Sequence, residues 1–147
     1  MLEGKRIIVT GSARGMGEAT LKAYVEAGAN VVGMDVSDEA GESVSNKANN
    51  TGPGKCSYIH VDVSEKSSVE ESFTKAVEVL GGLDVLAHPA AIQRASNASD
   101  VSVEDWDLMF SINVKGTMLT NQTAYKLSLI HISEPTRRYA ISYAVFC

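Results

Sequence analysis

The sequence lacks several features that mark other classes of protein. Its 147 residues include two cysteines, Cys56 and Cys147, which are far apart and form no Cys-x-x-Cys pair. A disulfide framework and a zinc site are therefore not indicated, and we expect Cys56 to be an ordinary buried strand residue. No stretch approaches the roughly eighteen apolar residues of a membrane-spanning helix, and the start MLEGKRIIVTG has no secretory leader. We expect a cytoplasmic protein without a membrane partner.

The chain also lacks an excess of positive charge. It has 13 Lys and Arg against 18 Asp and Glu, a formal net charge of −5. A nucleic-acid-binding surface needs Lys and Arg clustered on one face, so we do not expect nucleic acid as a partner. The composition, with 44% hydrophobic and 21% charged residues, is that of one soluble globular domain.

Short β-rich runs alternate with longer segments of helical period up to about residue 87. The strand candidates are rich in Val and Ile, as strands covered on both faces require, and they are KRIIVT, NVVGMD, CSYIHVDV and LDVLAH. This alternation predicts an α/β fold, a Rossmann-type doubly wound parallel sheet with strand order 3-2-1-4. The sheet would be truncated after the fourth strand and its following helix, which leaves that strand as an open edge.

Capping residues and apolar periods predict the helices between these strands. Ser37 and Ser64 are the predicted N-caps of the second and third helices, and Gly81-Gly82 ends the third. The side chains expected on the apolar faces are Ala40, Val44 and Ala48 in the second helix, and Val69, Phe73, Ala76, Val77 and Leu80 in the third.

A last helix is predicted from the capping-box-like segment Ser102-Val-Glu-Asp105 to about Lys126. Asn113 falls on its stripe with Trp106, Phe110 and Thr117, where an apolar residue would be expected. Because a buried amide needs hydrogen-bond partners, Asn113 is either a functional residue or a structural one bonded to neighbouring backbone.

The strongest chemical signal is the glycine-rich segment TGSARGMG between the first strand and the first helix. Gly11 permits a tight turn, Gly15 lets a pyrophosphate approach the backbone, and Gly17 lets the helix pack closely on the sheet. Free N–H groups and the dipole at the helix start favour a bound phosphate. A P-loop is excluded because no Lys-Ser/Thr follows the last glycine. Alone, such a turn also suits a compact strand-to-helix connection.

Asp35 ends the second strand, where the ribose hydroxyls of a dinucleotide would lie. Its carboxylate accepts hydrogen bonds from both hydroxyls of NAD, whereas the 2′-phosphate of NADP would be repelled, so NAD is favoured over NADP. Arg14 favours NADP instead, since a guanidinium beside the pocket suits a phosphate. Asp62 closes the third strand and is either a ligand of the same crevice or a turn carboxylate that leads into a helix.

Together, TGSARGMG, Asp35, HVDV and FSINVKG resemble the short-chain dehydrogenase/reductase family in order and spacing, over residues 1–126. The resemblance implies a parent enzyme, commonly a homo-oligomer, that interconverts an alcohol and a carbonyl compound by hydride transfer with NAD. It implies a small-molecule substrate, no metal, and Asn113 as a catalytic residue. The cofactor contacts that it implies are Gly11, Ser12, Arg14, Gly15, Met16, Gly17, Asp35, Asp62, Val63 and Ala90.

Two departures from the family pattern bear on activity. Where the family has Asn-Asn-Ala-Gly, this chain has His88-Pro89-Ala90-Ala91. His88 is either an acid/base group or, more simply, a hydrogen-bonding substitute for asparagine, and His60, inside a strand run, is expected to be a packing residue. None of the five tyrosines has Lys four positions later, so the family's Tyr-x-x-x-Lys pair is absent. We expect the chain itself to be inactive. The alternative to a fragment of a dehydrogenase is a non-catalytic NAD(P)-binding or sensor protein of this fold.

The last 21 residues, LSLIHISEPTRRYAISYAVFC, change character abruptly. They resemble translated sequencing-adaptor DNA: residues 127–137 match a transposon-end adaptor and residues 141–147 a flow-cell adaptor. We therefore expect residues 1–126 to be an incomplete NAD-binding domain and residues 127–147 a non-native tail. The β-rich segment YAISYAVF is predicted to lie beside the fourth strand as a surrogate fifth strand.

Overall fold

A computed structural model describes residues 2–95, 97 and 99–130. Strands and helices alternate along its first part as β1 (Arg6–Thr10), α1 (Gly15–Glu26), β2 (Asn30–Asp35), α2 (Asp38–Ala48), β3 (Lys55–His60), α3 (Lys66–Leu80) and β4 (Val85–Ala87). A last helical stretch comprises α4 (Val103–Phe110), a π-helical turn (Ser111–Lys115) and α5 (Gly116–Ile130). Helix α5 thus continues past Lys126, whereas the predicted surrogate strand lies outside the described residues.

The four strands form one parallel sheet in the order β3-β2-β1-β4, which confirms the predicted topology. Their carboxyl ends lie at the same edge, so the residues that follow β1, β2, β3 and β4 are brought together there. In parallel sheets this edge is where ligands bind.

The core lies on both faces of the sheet. On one face Ile8, Val32 and Met34 pack with Val69, Phe73 and Val77 of α3, and on the other Ile7, Val9 and Val31 pack with Leu21 and Val25 of α1. Each of these side chains is at most 2% exposed. The central strands are therefore nearly continuous apolar runs because they are covered on both sides.

The edge strands are less covered than their composition predicts. Cys56, on β3, is half-buried rather than buried, and burial raises the pKa of its thiol. His60, expected as a packing residue, is exposed and its Nδ1 lies 2.7 Å from Oδ1 of Asp38. The expectation for His60 was wrong because β3 is an edge strand in the described structure, where it pairs with β2 alone and its side chains are less covered.

Helix ends and faces depart from the local rules at three points. The predicted N-cap Ser64 lies before α3 because its N–H and Oγ both donate to Oδ1 of Asp62, at 2.9 and 2.7 Å. Ser37 holds the N-cap position of α2, but no capping bond from its side chain appears in the described structure. Ala40 is exposed, and Gly41 takes the buried position. Gly81, with φ of 72°, ends α3 as predicted.

Candidate functional site

A cavity of about 300 Å³ opens at the carboxyl edge of the sheet. Eight of the eleven predicted site residues line it: Gly11, Arg14, Met16, Gly17, Asp35, Asp62, Val63 and Ala90. Gly15 belongs to the same turn, Ser12 is buried behind it, and Asn113 follows the lining residue Ile112. The lining residues that sequence reasoning missed are Val36, Ser37, Val61, Pro89, Ala91, Ile92 and Ile112.

The glycine turn makes close backbone contacts that only glycine allows. A Cβ on Gly11, whose φ is 63°, would lie 2.7 Å from Cα of Ala90 in the loop after β4. A Cβ on Gly17 would overlap the carbonyl oxygen of Gly11. Gly15 has φ of 57°, and no described atom lies within 4 Å of where its Cβ would stand. The turn therefore packs tightly on the sheet at Gly11 and Gly17 and stays open at Gly15.

Asp35 is held by hydrogen bonds from three segments. Its Oδ2 accepts from the N–H of Ala13 at 3.0 Å, and its Oδ1 accepts from the N–H of Ser37 at 3.1 Å. Its carbonyl oxygen accepts from the N–H of Val61 at 3.0 Å and from the hydroxyl of Tyr58 at 2.7 Å. The carboxylate is thus oriented at the cavity by the glycine turn, the turn before α2 and β3.

Asp62 and Val63 line the cavity, and their contacts also explain the turn. Oδ1 of Asp62 accepts both bonds from Ser64, and its N–H donates to Oγ of Ser68 at 2.9 Å. These bonds are typical of a carboxylate in a turn that precedes a helix, which is one of the two roles predicted for Asp62. Val63 is 6% exposed and packs beside Gly116, where a Cβ would lie 3.0 Å from its Cγ2.

Asn113 lies in the π-helical turn and holds the loop after β4. Its Oδ1 accepts from the N–H of Ile92 at 2.9 Å, and its Nδ2 donates to the carbonyl of Ile92 at 2.9 Å. The amide is thus bonded on both sides to one backbone unit of the cavity wall. Trp106 and Phe110, expected on the same stripe, are 51% and 47% exposed and stack with centroids 4.7 Å apart.

His88 joins the carboxyl ends of β1 and β4 to α5. Its Nδ1 lies 2.7 Å from Oγ1 of Thr10 and 3.2 Å from Oγ1 of Thr120. Its Nε2 is buried without a hydrogen-bond partner among the residues that the structure describes, and burial lowers the pKa of the imidazole. Because an unmade bond costs most for a buried N–H, we infer a neutral ring with its proton on Nδ1, donating to Thr10. These contacts agree with a hydrogen-bonding substitute for asparagine.

The lowered pKa of His88 predicts acid-sensitive stability. The folded chain binds fewer protons than the unfolded one near the ordinary His pKa of about 6.5. The free energy of unfolding should therefore be fully retained above about pH 7 and decrease as the pH falls through 6.5. Urea unfolding between about pH 7.5 and pH 5 measures this decrease, which should be smaller in His88→Asn than in the control His60→Asn. Equal decreases in the two variants would contradict the prediction.

Membrane-spanning helices and clusters of metal-ligating side chains are both absent from the described part of the chain. No helix there combines the length and the apolar character needed to cross a membrane. Within the same residues, no group of three or more His, Cys, Asp and Glu side chains is arranged to hold a metal ion.

Known proteins with similar sequences include dehydrogenases. A sequence profile described as short chain dehydrogenase matches residues 5–133. A sorbitol dehydrogenase of Cereibacter sphaeroides is 35% identical over 121 residues, 82% of this chain and 46% of its own length. A 2,5-dichloro-2,5-cyclohexadiene-1,4-diol dehydrogenase of Sphingobium indicum is 39% identical over 119 residues, 80% of this chain and 46% of its own length.

Solved structures give the same result. A short chain dehydrogenase from Mycobacterium smegmatis superposes with a TM-score of 0.81 at 27% identity, covering 86% of this chain and 52% of that one. The chain therefore spans about half the length of the relatives that it matches.

Proposed function

Because the chain belongs to the short-chain dehydrogenase family, whose members bind NAD(P), we propose that it is the NAD-binding part of an oxidoreductase that interconverts an alcohol and a carbonyl compound. The observation that carries the proposal is the Asp35 carboxylate, which lines the same cavity as Gly11 and Gly17 and is oriented by the N–H groups of Ala13 and Ser37. A fixed carboxylate beside a glycine turn suits a ribose next to a pyrophosphate.

The residues of the cavity fit a dinucleotide. Gly15 starts α1 and has open space at its Cβ position, so the backbone there is accessible to a phosphate at the helix N-terminus. We propose that Gly11, Ser12, Arg14, Gly15, Met16 and Gly17 hold the pyrophosphate, that Asp35 holds the ribose, and that Asp62, Val63 and Ala90 hold the adenosine side. NAD supplies the hydride acceptor of the reaction when bound.

The preference for NAD is a matter of charge at the ribose. A 2′-phosphate beside the Asp35 carboxylate would place like charges in contact, which costs several kcal/mol by general estimates. Arg14 is exposed and also lines the cavity, so its guanidinium is the group that would offset this repulsion. We propose that the Asp35 charge has a larger effect than Arg14 on the choice between NAD and NADP. The Asp35 carboxylate is fixed by two backbone donors, whereas the Arg14 side chain is exposed.

Asn113 is proposed as the active-site residue of this half of the enzyme. Its amide fixes Ile92, and the adjacent Ile112 lines the cavity as Ile92 does. In the chain itself Asn113 holds the cavity wall in shape. We propose that the chain does not catalyse hydride transfer, because its sequence contains no Tyr-x-x-x-Lys pair to exchange the proton.

The whole enzyme is proposed to be a cytoplasmic homo-oligomer acting on a small molecule. The relatives named above are dehydrogenases of sorbitol and of a cyclohexadiene diol, both alcohols. Exposed apolar side chains on α4, the π-helical turn and α5 support self-association through these helices. They are Val103, Trp106, Leu108, Phe110, Val114, Met118 and Tyr125.

Calorimetric titration tests the proposal. We expect NAD to bind the chain at least about tenfold more tightly than NADP. Nicotinamide mononucleotide, which lacks the adenosine ribose, is the control ligand and should bind more weakly than NAD. Added NADH should not be oxidised by the chain with carbonyl substrates. A folded chain without affinity for either dinucleotide would refute the proposed function.

A non-catalytic NAD(P)-binding or sensor protein is the second candidate. The observation that favours it is His88-Pro89 in place of the family's two asparagines, with the imidazole already engaged by Thr10 and Thr120. The coding sequence beyond codon 126 in the source gene separates the two candidates. A serine with Tyr-x-x-x-Lys supports the enzyme, and their absence supports the sensor.

A further inference from the structure

Tyr58 contacts Asp35, the residue proposed to distinguish NAD from NADP. Its hydroxyl lies 2.7 Å from the carbonyl oxygen of Asp35 and 2.8 Å from Oδ1 of Asp38. The residues that line the cavity in the described structure do not include Tyr58. Tyr58 would therefore affect a bound ligand through Asp35 and not by direct contact.

The Tyr58 ring is placed by Gly41 in α2. A Cβ on Gly41 would overlap three carbons of the ring, so only glycine lets the ring lie against the helix. The ring reaches from β3, under α2, to the end of β2, and it is half-buried there. Its hydroxyl is consequently held between Asp35 and Asp38, the residues on either side of the β2–α2 connection.

The hydroxyl of Tyr58 lies within hydrogen-bond distance of two acceptors, the carbonyl oxygen of Asp35 and Oδ1 of Asp38. Nδ1 of His60 lies 2.7 Å from the same Oδ1 of Asp38. The contact with the Asp35 carbonyl is the shorter of the two Tyr58 contacts, so the hydroxyl ties the backbone at the end of β2 to β3. Burial and the nearby carboxylates of Asp38, Asp35 and Glu42 raise the pKa of Tyr58, so the hydroxyl remains a donor at neutral pH.

We propose that Tyr58 is a positioning residue for dinucleotide discrimination, which holds the backbone of Asp35 so that its carboxylate stays at the position of the ribose 2′-oxygen. The inference rests on the proposed function, because it concerns the same ribose site. With Tyr58 in place, the carboxylate cannot move aside for a 2′-phosphate without breaking hydrogen bonds from β3. Without the hydroxyl, the Asp35–Ser37 backbone is freer, and the repulsion that excludes NADP weakens.

The test compares Tyr58→Phe with the control Tyr24→Phe, a half-buried tyrosine of α1 that does not line the cavity in the described structure. Affinities for NAD and NADP are measured by calorimetry, and circular dichroism confirms the fold. We expect Tyr58→Phe to weaken NAD binding by about fivefold, the value of one hydrogen bond, while NADP binding is kept. The NADP-to-NAD ratio of dissociation constants should fall by the same factor, and Tyr24→Phe should leave it unchanged.

The other possible results would contradict the proposed role of Tyr58. An equal loss of both affinities in Tyr58→Phe, or an unchanged ratio, would overturn it while the proposed function stands. Should Tyr58→Phe not fold, Gly41→Ala serves instead, because its Cβ would displace the ring and should lower the ratio in the same direction. An unchanged ratio in a folded Gly41→Ala would also overturn the inference. No dinucleotide binding by the unsubstituted chain would overturn the proposed function and this inference together.

Discussion

Replacing Gly17 by alanine is expected to lower the free energy of unfolding by about 3 kcal/mol and to abolish dinucleotide binding. The added Cβ would overlap the carbonyl oxygen of Gly11, and backbone cannot move aside as a flexible side chain can. Relief requires α1 to shift away from the sheet, which opens contacts that Leu21 and Val25 make with the core. Urea unfolding gives the loss of stability, and calorimetry with NAD gives the loss of binding.

The matched control is Gly15→Ala in the same turn. Gly15 has positive φ but open space at its Cβ, so alanine there introduces backbone strain of about 1 kcal/mol without overlap. We expect the loss of stability to be clearly smaller in Gly15→Ala than in Gly17→Ala. Equal losses would show that the close approach of α1 to the glycine turn is not what glycine provides at position 17.

Asp35→Ala is expected to weaken NAD binding by about 100-fold. Two charge-assisted hydrogen bonds from the ribose hydroxyls are together worth about 3 kcal/mol, which corresponds to this factor. The variant also removes the acceptors of the Ala13 and Ser37 N–H groups, so circular dichroism must confirm that it is folded. NADP binding should be kept or strengthened, because the charge that repels the 2′-phosphate is gone.

Glu39→Ala is the matched control for charge. Glu39 is an exposed carboxylate in the first turn of α2, close in sequence to Asp35, and its removal changes the net charge by the same amount. We expect NAD affinity in Glu39→Ala to stay within about twofold of the original, since exposed charges are screened by salt. A comparable loss in both variants would mean that general charge, rather than the oriented Asp35 carboxylate, governs binding.

The sheet and its ligand edge followed from features that lie close together in sequence. Runs of Val and Ile, a glycine turn and the Asp at the end of β2 predicted the strands and their order, and together with the family resemblance they predicted eight of the residues around the cavity. The capping rules succeeded at Ser102, whose Oγ accepts from the N–H of Asp105 at 3.1 Å. They failed at Ser64, where the Asp62 carboxylate competes for the same serine.

What sequence alone determined is the fold class and the position of the glycine turn and Asp35, because backbone freedom and apolar period are properties of neighbouring residues. The tertiary structure decided which partners the polar groups have. Asn113 meets Ile92, His88 meets Thr10 and Thr120, and Tyr58 reaches Asp35 under Gly41. These contacts join residues 21 to 78 positions apart, so they exist only once the parallel sheet has brought its carboxyl ends together.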